Sequence, residues 1–145
     1  MKNSLEILDV GESHISRPKL LVTGGSGLVG SQIGAPLKTN SSIDLRIPSE
    51  CDNLFNKKKP LNVVHCAARV GGLGGNMNMK GEFFYDNIMI NTNVLEGCRV
   101  HNVEKTLSCL STCIYPDDVN YPLTEDQIHN GPPHQSNFGY AYAKR

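Results

Sequence analysis

The sequence predicts an α/β fold in which a parallel sheet is flanked by helices. Three short apolar runs indicate buried strands, at residues 19–23, 62–67 and 105–111. A long segment over residues 82–101 places Phe84, Ile88, Leu95 and Cys98 at helical spacing, so it predicts a helix between the second and third strands. Helices that connect consecutive strands are typical of parallel sheets.

Length and composition limit the functions that the chain can have. Its 145 residues fit one domain with a core, with residues 1–18 as an N-terminal extension. Lys plus Arg and Asp plus Glu number 14 each, so no electrostatic field favours nucleic acid. Residues 1–18 have no long apolar core, and no stretch approaches the ~20 apolar residues of a membrane span. We therefore expect a soluble, cytoplasmic protein without a nucleic-acid or membrane partner.

The five cysteines favour a reducing compartment. They show no paired spacing of the kind that binds metal ions. Cys66, Cys98 and Cys109 fall within apolar elements, where buried thiols are common. We therefore predict no metal site.

A glycine motif follows the first predicted strand at once. Residues 23–30 read TGGSGLVG, with glycines at 24, 27 and 30, and we expect them to lead into a helix that Pro36 closes. In this context the first glycine permits a tight turn, the second lets backbone N–H groups approach a diphosphate, and the third lets helix and strand pack closely. A plain turn is the alternative. The motif predicts a Rossmann-like dinucleotide site built by Gly24, Gly25, Ser26, Gly27, Leu28, Val29 and Gly30.

The last residues of the chain contain a candidate acid. Tyr140 and Lys144 lie four apart in NFGYAYAKR and share a face of a predicted helix that begins near Phe138. Such pairs are often surface packing. A free Tyr titrates near pH ~10, so activity near neutrality requires about 4 kcal/mol of stabilisation, which a neighbouring ammonium would supply. Ser111, at the end of the third strand, would then orient a substrate oxygen towards Tyr140. Alternatively, Ser111 is a strand-end hydroxyl that satisfies a loop.

Several motifs together resemble one known family. TGGSGLVG, HCAARVGG (65–72), NTNVLEGC (91–98), LSTCIYP (110–116) and HNGPPHQSNFGYAYAKR (129–145) are similar to the GDP-L-fucose synthases, which are extended short-chain dehydrogenases/reductases. The resemblance covers residues 19–145, a partial Rossmann domain. It implies an NADPH-dependent enzyme that epimerises GDP-4-keto-6-deoxy-mannose at C3 and C5 and then reduces the C4 ketone. A GDP-sugar substrate and a homodimer are implied for the full-length family.

The resemblance also implies roles for single residues. Ser111 matches the substrate-orienting serine, Tyr140 the proton donor, and Lys144 the partner that holds the nicotinamide ribose. Cys113 matches one of two epimerisation acid/bases, although without the resemblance it would be taken for a partly buried structural thiol. Gly24 to Gly30 match the diphosphate loop, and Ala67 and Ala68 match the wall of the cofactor trough.

One departure from the family falls directly after the glycine motif. Only eleven residues, 31–41, separate Gly30 from Ser42, whereas a βαβ unit needs about 30, so we expect the second strand to be missing. Asp44 then has two interpretations. It lies twenty residues after Gly24, where an acidic residue would bind a ribose 2′-hydroxyl and favour NAD. In the family register, SIDLRIP instead matches a segment near the adenine, which favours NADP with an altered specificity pocket.

The second departure is that the resemblance ends at the catalytic lysine. The family's later strands and most of its sugar pocket follow this residue, so we expect a truncated member that binds NADPH weakly and does not turn over substrate. Three hypotheses remain: a nucleotide-sugar epimerase/reductase, an inactive nucleotide-binding or subunit-interaction fragment using the helix at 82–101, and a different extended reductase. The cysteine of LSTCIYP argues against the third, because simple 4-epimerases have no role for it.

Overall fold

The described part of the chain is built on one parallel sheet. The computed structural model describes residues 20–40 and 42–145, so the predicted extension over residues 1–18 and Lys19 lie outside it. Four strands pair in the order β2, β1, β3, β4, and every pairing is parallel. Their bounds are Leu20–Thr23 (β1), Leu37–Lys38 (β2), Asn62–His65 (β3) and Lys105–Ser108 (β4). The predicted α/β fold and its three adjacent strands are confirmed.

The segment after β1 differs from the prediction in two ways. The glycine turn leads into a 3-10 turn at Gly30–Gln32 rather than into an α-helix closed by Pro36. The second strand, predicted to be missing, is present as β2, which pairs with β1. Eleven residues are too few for a helix and its return, but a single tight turn leaves enough chain to reach the sheet. The Thr39 N–H then donates to the Val22 carbonyl and extends the pairing.

Two helices cover one side of the sheet and enclose the core. Helix α1 (Pro48–Lys58) begins at a proline and ends before Lys59, whose φ of 46° is left-handed. It packs on α3 (Lys80–Val100) where Gly97 lies so close that an added Cβ would be 2.7 Å from the Phe55 ring. Close approach therefore depends on glycine at this position. The core cluster consists of Leu21, Leu45, Cys51, Leu54, Phe55, Val63, Val94 and Cys98.

Only some of the apolar residues that lie at helical spacing in α3 are buried. Phe84 and Leu95 are exposed, whereas Phe83, Asn87 and Val94 are buried. The buried residues include polar groups that bind the loop after β3, and an apolar pattern does not reveal such groups. The helix predicted over residues 82–101 is confirmed.

The remaining elements surround the carboxyl ends of the strands. Helix α2 (Gly72–Asn78) precedes α3, and α4 (Phe138–Lys144) follows a long segment with 3-10 turns at Thr112–Ile114, Glu125–Gln127 and Gln135–Asn137. Helix α4 crosses the start of α3, where any side chain at Gly139 would collide with the Lys80 carbonyl. All four residues of β4, at the sheet edge, are exposed. Across the residues described, no helix has the length and apolar character needed to cross a membrane.

Candidate functional site

A groove of about 560 Å³ opens at the carboxyl ends of the strands. In parallel α/β sheets this edge is where ligands bind. The groove unites most residues that the sequence predicted for a cofactor site: Gly24, Ser26, Gly27, Leu28, Val29, Gly30, Asp44, Ala67, Ala68, Tyr140 and Lys144. Three predicted residues, Gly25, Ser111 and Cys113, are not among those that line it.

The glycine turn closes the groove at the end of β1. Gly24 has a φ of +70°, and its N–H donates to Thr39 Oγ1 at 3.0 Å. An added Cβ at Gly24 would lie 2.7 Å from the Ala67 nitrogen, and one at Gly30 would collide with the Gly24 carbonyl. The backbone is therefore folded tightly enough that only glycine fits at both positions. Glycines at these positions leave the neighbouring peptide groups open to a ligand in the groove.

Gly25 contacts the residues at the end of β2 and does not line the groove. It is buried, and an added Cβ would collide with the Lys38 side chain. Its N–H donates to the Thr39 carbonyl at 2.9 Å. Gly25 therefore anchors the turn to the residues that follow β2.

The opposite wall of the groove is the loop after β3. Ala67 and Ala68 line the groove, and the buried Asn87 of α3 fixes the next residue of the loop. The Arg69 N–H donates to Asn87 Oδ1 at 2.9 Å, and Asn87 Nδ2 donates back to the Arg69 carbonyl at 3.0 Å. A side-chain amide that pairs with both backbone groups of one residue holds the loop in a fixed position.

A buried histidine connects the sheet to the C-terminal helix. His65 Nδ1 lies 2.6 Å from Thr23 Oγ1, and His65 Nε2 lies 3.0 Å from Asn91 Oδ1. Asn91 Nδ2 donates to the Ala143 carbonyl at 2.7 Å. Burial lowers the pKa of His65 to about 4, so the ring is neutral near pH 7. Because the Asn91 oxygen accepts, His65 Nε2 carries the proton and Nδ1 accepts from the Thr23 hydroxyl.

His65 lies within HCAARVGG, but no motif in the sequence indicates a role for it. The two hydrogen bonds through Asn91 join residues that are 26 and 52 positions apart, so no local spacing indicates them. The only available signal was a polar side chain within an otherwise apolar strand.

Tyr140 and Lys144 meet the groove from α4. Lys144 is only 5% exposed, and its Nζ donates to the Cys109 carbonyl at 3.3 Å. Burial lowers the pKa of Lys144. Burial raises the pKa of Tyr140, and the neighbouring thiols of Cys113 and Cys109 add to that effect. The expectation that Lys144 draws the Tyr140 pKa down towards neutrality is therefore wrong for this structure. A phenol held in its protonated form is suited to donating a proton.

Ser111 and Cys113 lie beside this helix, in the 3-10 turn after β4. Ser111 caps the turn, and its Oγ accepts from the Cys113 N–H at 3.2 Å. This is the structural role that the sequence left open as the alternative for Ser111. Arg145 Nε donates to the Ile114 carbonyl at 3.0 Å and so ties the turn to the end of α4. Both side chains are partly buried, which leaves each with an accessible portion.

An ion-pair network borders the groove beside Asp44. Arg46 Nη2 binds Asp44 at 2.7 Å, and Arg46 Nη1 binds Asp86 at 3.0 Å. Arg69 also binds Asp86, whose side chain is 6% exposed. Hydrogen bonds from Arg46 lower the pKa of Asp44. The Asp44 carboxylate is thus engaged by a cation within the protein, a feature that the sequence analysis did not predict.

Comparison with known proteins identifies the family. The sequence profile described as "NAD dependent epimerase/dehydratase family" matches residues 20–145. A GDP-L-fucose synthase of Dictyostelium discoideum is 54% identical over 142 aligned positions, which cover 90% of this chain and 44% of that protein. A probable GDP-L-fucose synthase of Drosophila melanogaster is 46% identical, covering 88% of this chain and 43% of that protein.

Solved structures give the same result. The crystal structure of a GDP-L-fucose synthetase from Naegleria fowleri bound to NADP has a TM-score of 0.77 and 45% identity, covering 90% of this chain and 46% of that one. The resemblance inferred from the motifs is confirmed. The chain spans less than half of the length of these relatives.

Proposed function

Because the chain belongs to the NAD-dependent epimerase/dehydratase family, we propose that residues 19–145 are the NADP(H)-binding part of a nucleotide-sugar epimerase/reductase. The proposed reaction is that of the GDP-L-fucose synthases, with a GDP-4-keto-6-deoxy sugar as substrate. The observation that carries the proposal is that Tyr140 and Lys144 line the same groove as the glycine turn. A proton donor and a dinucleotide cradle share one space, which a carbonyl reduction requires.

The groove fits a dinucleotide on its own geometry. The turn is folded tightly at Gly24 and Gly30, where any Cβ would collide with neighbouring backbone atoms. Ala67 and Ala68 give the facing wall small side chains, which leave room for a flat ring system. We assign the diphosphate to the glycine turn, with backbone N–H groups as its donors. When bound, the nicotinamide supplies the hydride.

Tyr140 then donates the proton that a reduced carbonyl oxygen takes up. Burial keeps the phenol protonated, so the proton is available until hydride transfer makes the oxygen basic. Lys144 is buried between Tyr140 and the sheet, and we assign its ammonium to the nicotinamide ribose. Ser111 orients the substrate oxygen through the hydroxyl proton, because its oxygen already accepts from Cys113 N–H.

We assign Cys113 to proton transfer at the sugar carbons. Cys113 is partly buried and lies in the 3-10 turn beside α4. In this assignment Cys113 serves the epimerisation and Tyr140 serves the reduction at the same sugar ring. Its partner in that step has no assigned residue among those described.

The end of β2 supports NADP over NAD. In NAD-binding Rossmann domains an acidic residue near this point binds the ribose 2′-hydroxyl. Here β2 is followed by Thr39, which holds the glycine turn, and by Asn40, which lines the groove. The nearest acid along the groove, Asp44, is occupied by Arg46. A neutral wall lacks the carboxylate that would repel a 2′-phosphate.

The test combines cofactor binding and turnover. NADPH is titrated with the purified chain, and binding is followed by its fluorescence. Product formation is assayed for the chain and for a chimera. In the chimera, the remaining residues of the Dictyostelium relative follow Arg145. We expect weak NADPH binding and no detectable turnover by the chain alone, and turnover by the chimera. In the chimera Tyr140→Phe should remove turnover, while Tyr142→Phe, on the same helix, should not. NADH binding more tightly than NADPH, or an active Tyr140→Phe chimera, would overturn the proposal.

A second candidate function is association with another subunit. Helix α3 presents Phe84, Tyr85 and Leu95 to solvent at 43%, 60% and 48% exposure. Exposed apolar side chains on one long helix are typical of protein interfaces. Sedimentation equilibrium tests this function: Phe84→Ser should reduce self-association or binding to a full-length relative. If Phe84→Ser associates as well as the unchanged chain, the exposed face of α3 is excluded as the subunit interface.

A further inference from the structure

Two thiols face each other where adjacent strands end in the groove. Cys66 follows β3 and Cys109 follows β4, and the preceding residues His65 and Ser108 are register partners. The ladder continues through the Cys109 N–H, which donates to the His65 carbonyl at 2.9 Å. The two Sγ atoms are 3.5 Å apart, and both cysteines are free. The sheet therefore holds the two sulfurs in contact.

The backbone geometry permits a bond between these sulfurs. Neighbouring strands lie about 4.8 Å apart, within the 4.4–6.8 Å range of Cα separations in disulfides. A disulfide bond is about 2.05 Å long, so the sulfurs need to approach by about 1.5 Å in total. Side-chain rotation at strand ends can supply such a movement without a break in the ladder.

Access distinguishes this pair from the two cysteines of the core. Cys66 and Cys109 are partly buried and line the groove, whereas Cys51 and Cys98 are buried in the core. A small oxidant that enters the groove therefore reaches Cys66 and Cys109 but not the core thiols. Lys144 Nζ donates to the Cys109 carbonyl and so lies close to the pair.

We propose that Cys66 and Cys109 form a reversible disulfide when the groove is open to a hydroperoxide, and that this disulfide and a bound dinucleotide exclude each other. The first part stands on the thiol pair alone. The second part rests on the proposed function, because it requires that the dinucleotide occupy the groove. The pair is thus a modification site on the floor of the groove.

The step balances with a hydroperoxide as the two-electron oxidant. Burial raises the pKa of Cys66 to about 11, which disfavours its thiolate, and we assign the first attack to Cys109. The Cys109 sulfur attacks the terminal peroxide oxygen, the O–O bond breaks, and the alkoxide (or hydroxide) leaves with the Cys109 proton as an alcohol (or water). The Cys66 sulfur then attacks the resulting sulfenic sulfur, the S–O bond breaks, and the Cys66 proton leaves with hydroxide as water. Two thiols are oxidised and one peroxide is reduced.

The first experiment identifies the bond. The chain is treated with hydrogen peroxide, its free thiols are counted under denaturing conditions, and its tryptic peptides are mapped by mass spectrometry. We expect the thiol count to fall from five to three, with Cys66 linked to Cys109, and dithiothreitol to restore all five. Cys66→Ser and Cys109→Ser should each prevent the link, with Cys66→Ser stopping at the Cys109 sulfenic acid, whereas Cys98→Ser should leave the link intact. Far-UV circular dichroism checks that every variant is folded.

A link between Cys109 and Cys113, or an unchanged thiol count in a folded chain, would overturn the disulfide. The second experiment repeats the oxidation with NADPH at ten times its dissociation constant, where the free groove is reduced to about one tenth. We expect disulfide formation to slow about tenfold. Equal rates with NADPH bound would overturn mutual exclusion. If the disulfide forms but NADPH does not bind at all, the thiol pair is upheld and the dinucleotide assignment fails.

Discussion

Replacing Gly24 with alanine tests the geometry of the glycine turn. At a φ of +70° a residue with a Cβ costs about 1–2 kcal/mol, and relieving the 2.7 Å approach to the Ala67 nitrogen costs about 1–3 kcal/mol. Gly24→Ala should therefore lower the free energy of unfolding by about 2–5 kcal/mol. It should also weaken NADPH binding, because relief of the contact moves the turn away from the loop after β3.

Gly34→Ala is the matched control for this change. An added Cβ at Gly34 meets no atom within 4 Å, and its φ is not left-handed. The free energy of unfolding of Gly34→Ala should equal that of the unchanged chain or exceed it by up to about 1 kcal/mol, because alanine restricts the unfolded chain. Urea denaturation at pH 7 measures both variants, and NADPH fluorescence measures binding. Equal stability of Gly24→Ala and Gly34→Ala would refute the argument that this turn requires glycine.

Three further predictions concern the polar network. The free energy of unfolding should fall by up to about 3 kcal/mol as the pH is lowered from 6.5 to about 4. In this range His65 is protonated in the unfolded chain but stays neutral in the folded one. The urea midpoint should depend less on pH in His65→Asn than in the unchanged chain. An equally steep dependence in both would contradict a buried, neutral His65 ring. Asn91→Ala should weaken NADPH binding by releasing α4, whereas Asn53→Ala, at an exposed position of α1, should leave affinity unchanged; equal losses would exclude the link. Asp86→Asn should lower the free energy of unfolding by about 1–3 kcal/mol, measured by chemical denaturation. An unchanged denaturation midpoint would contradict this prediction.

The sequence indicated the sheet and the groove because their signals are local. A glycine motif directly after an apolar strand and a Tyr–Lys pair one helical turn apart each occupy a few consecutive residues. Both motifs then meet at the carboxyl edge of the sheet, because the strands are parallel. The catalytic roles of Ser111, Cys113, Tyr140 and Lys144 stay predictions, and the Tyr140→Phe chimera tests the role of Tyr140.

The features that sequence reasoning missed depend on distant contacts. The strand at Leu37–Lys38 is too short to give a periodic pattern, and it is recognised only by its pairing with β1. The direction of the Tyr140 pKa depends on burial by segments far along the chain, not on the lysine four residues away. The buried face of α3 is set by amide contacts of Asn87 with the loop after β3, which an apolar pattern does not reveal.

The central claim is that a dinucleotide binds in the groove between the glycine turn and the loop after β3. An amide ¹H–¹⁵N NMR titration of the chain with NADPH tests it most directly. We predict that the largest shift changes fall on Gly24, Gly27, Gly30, Ala67 and Ala68, with no change at Gly97, in the separate cavity between α1 and α3. Shift changes confined to that second cavity, or none at saturating NADPH, would contradict the account.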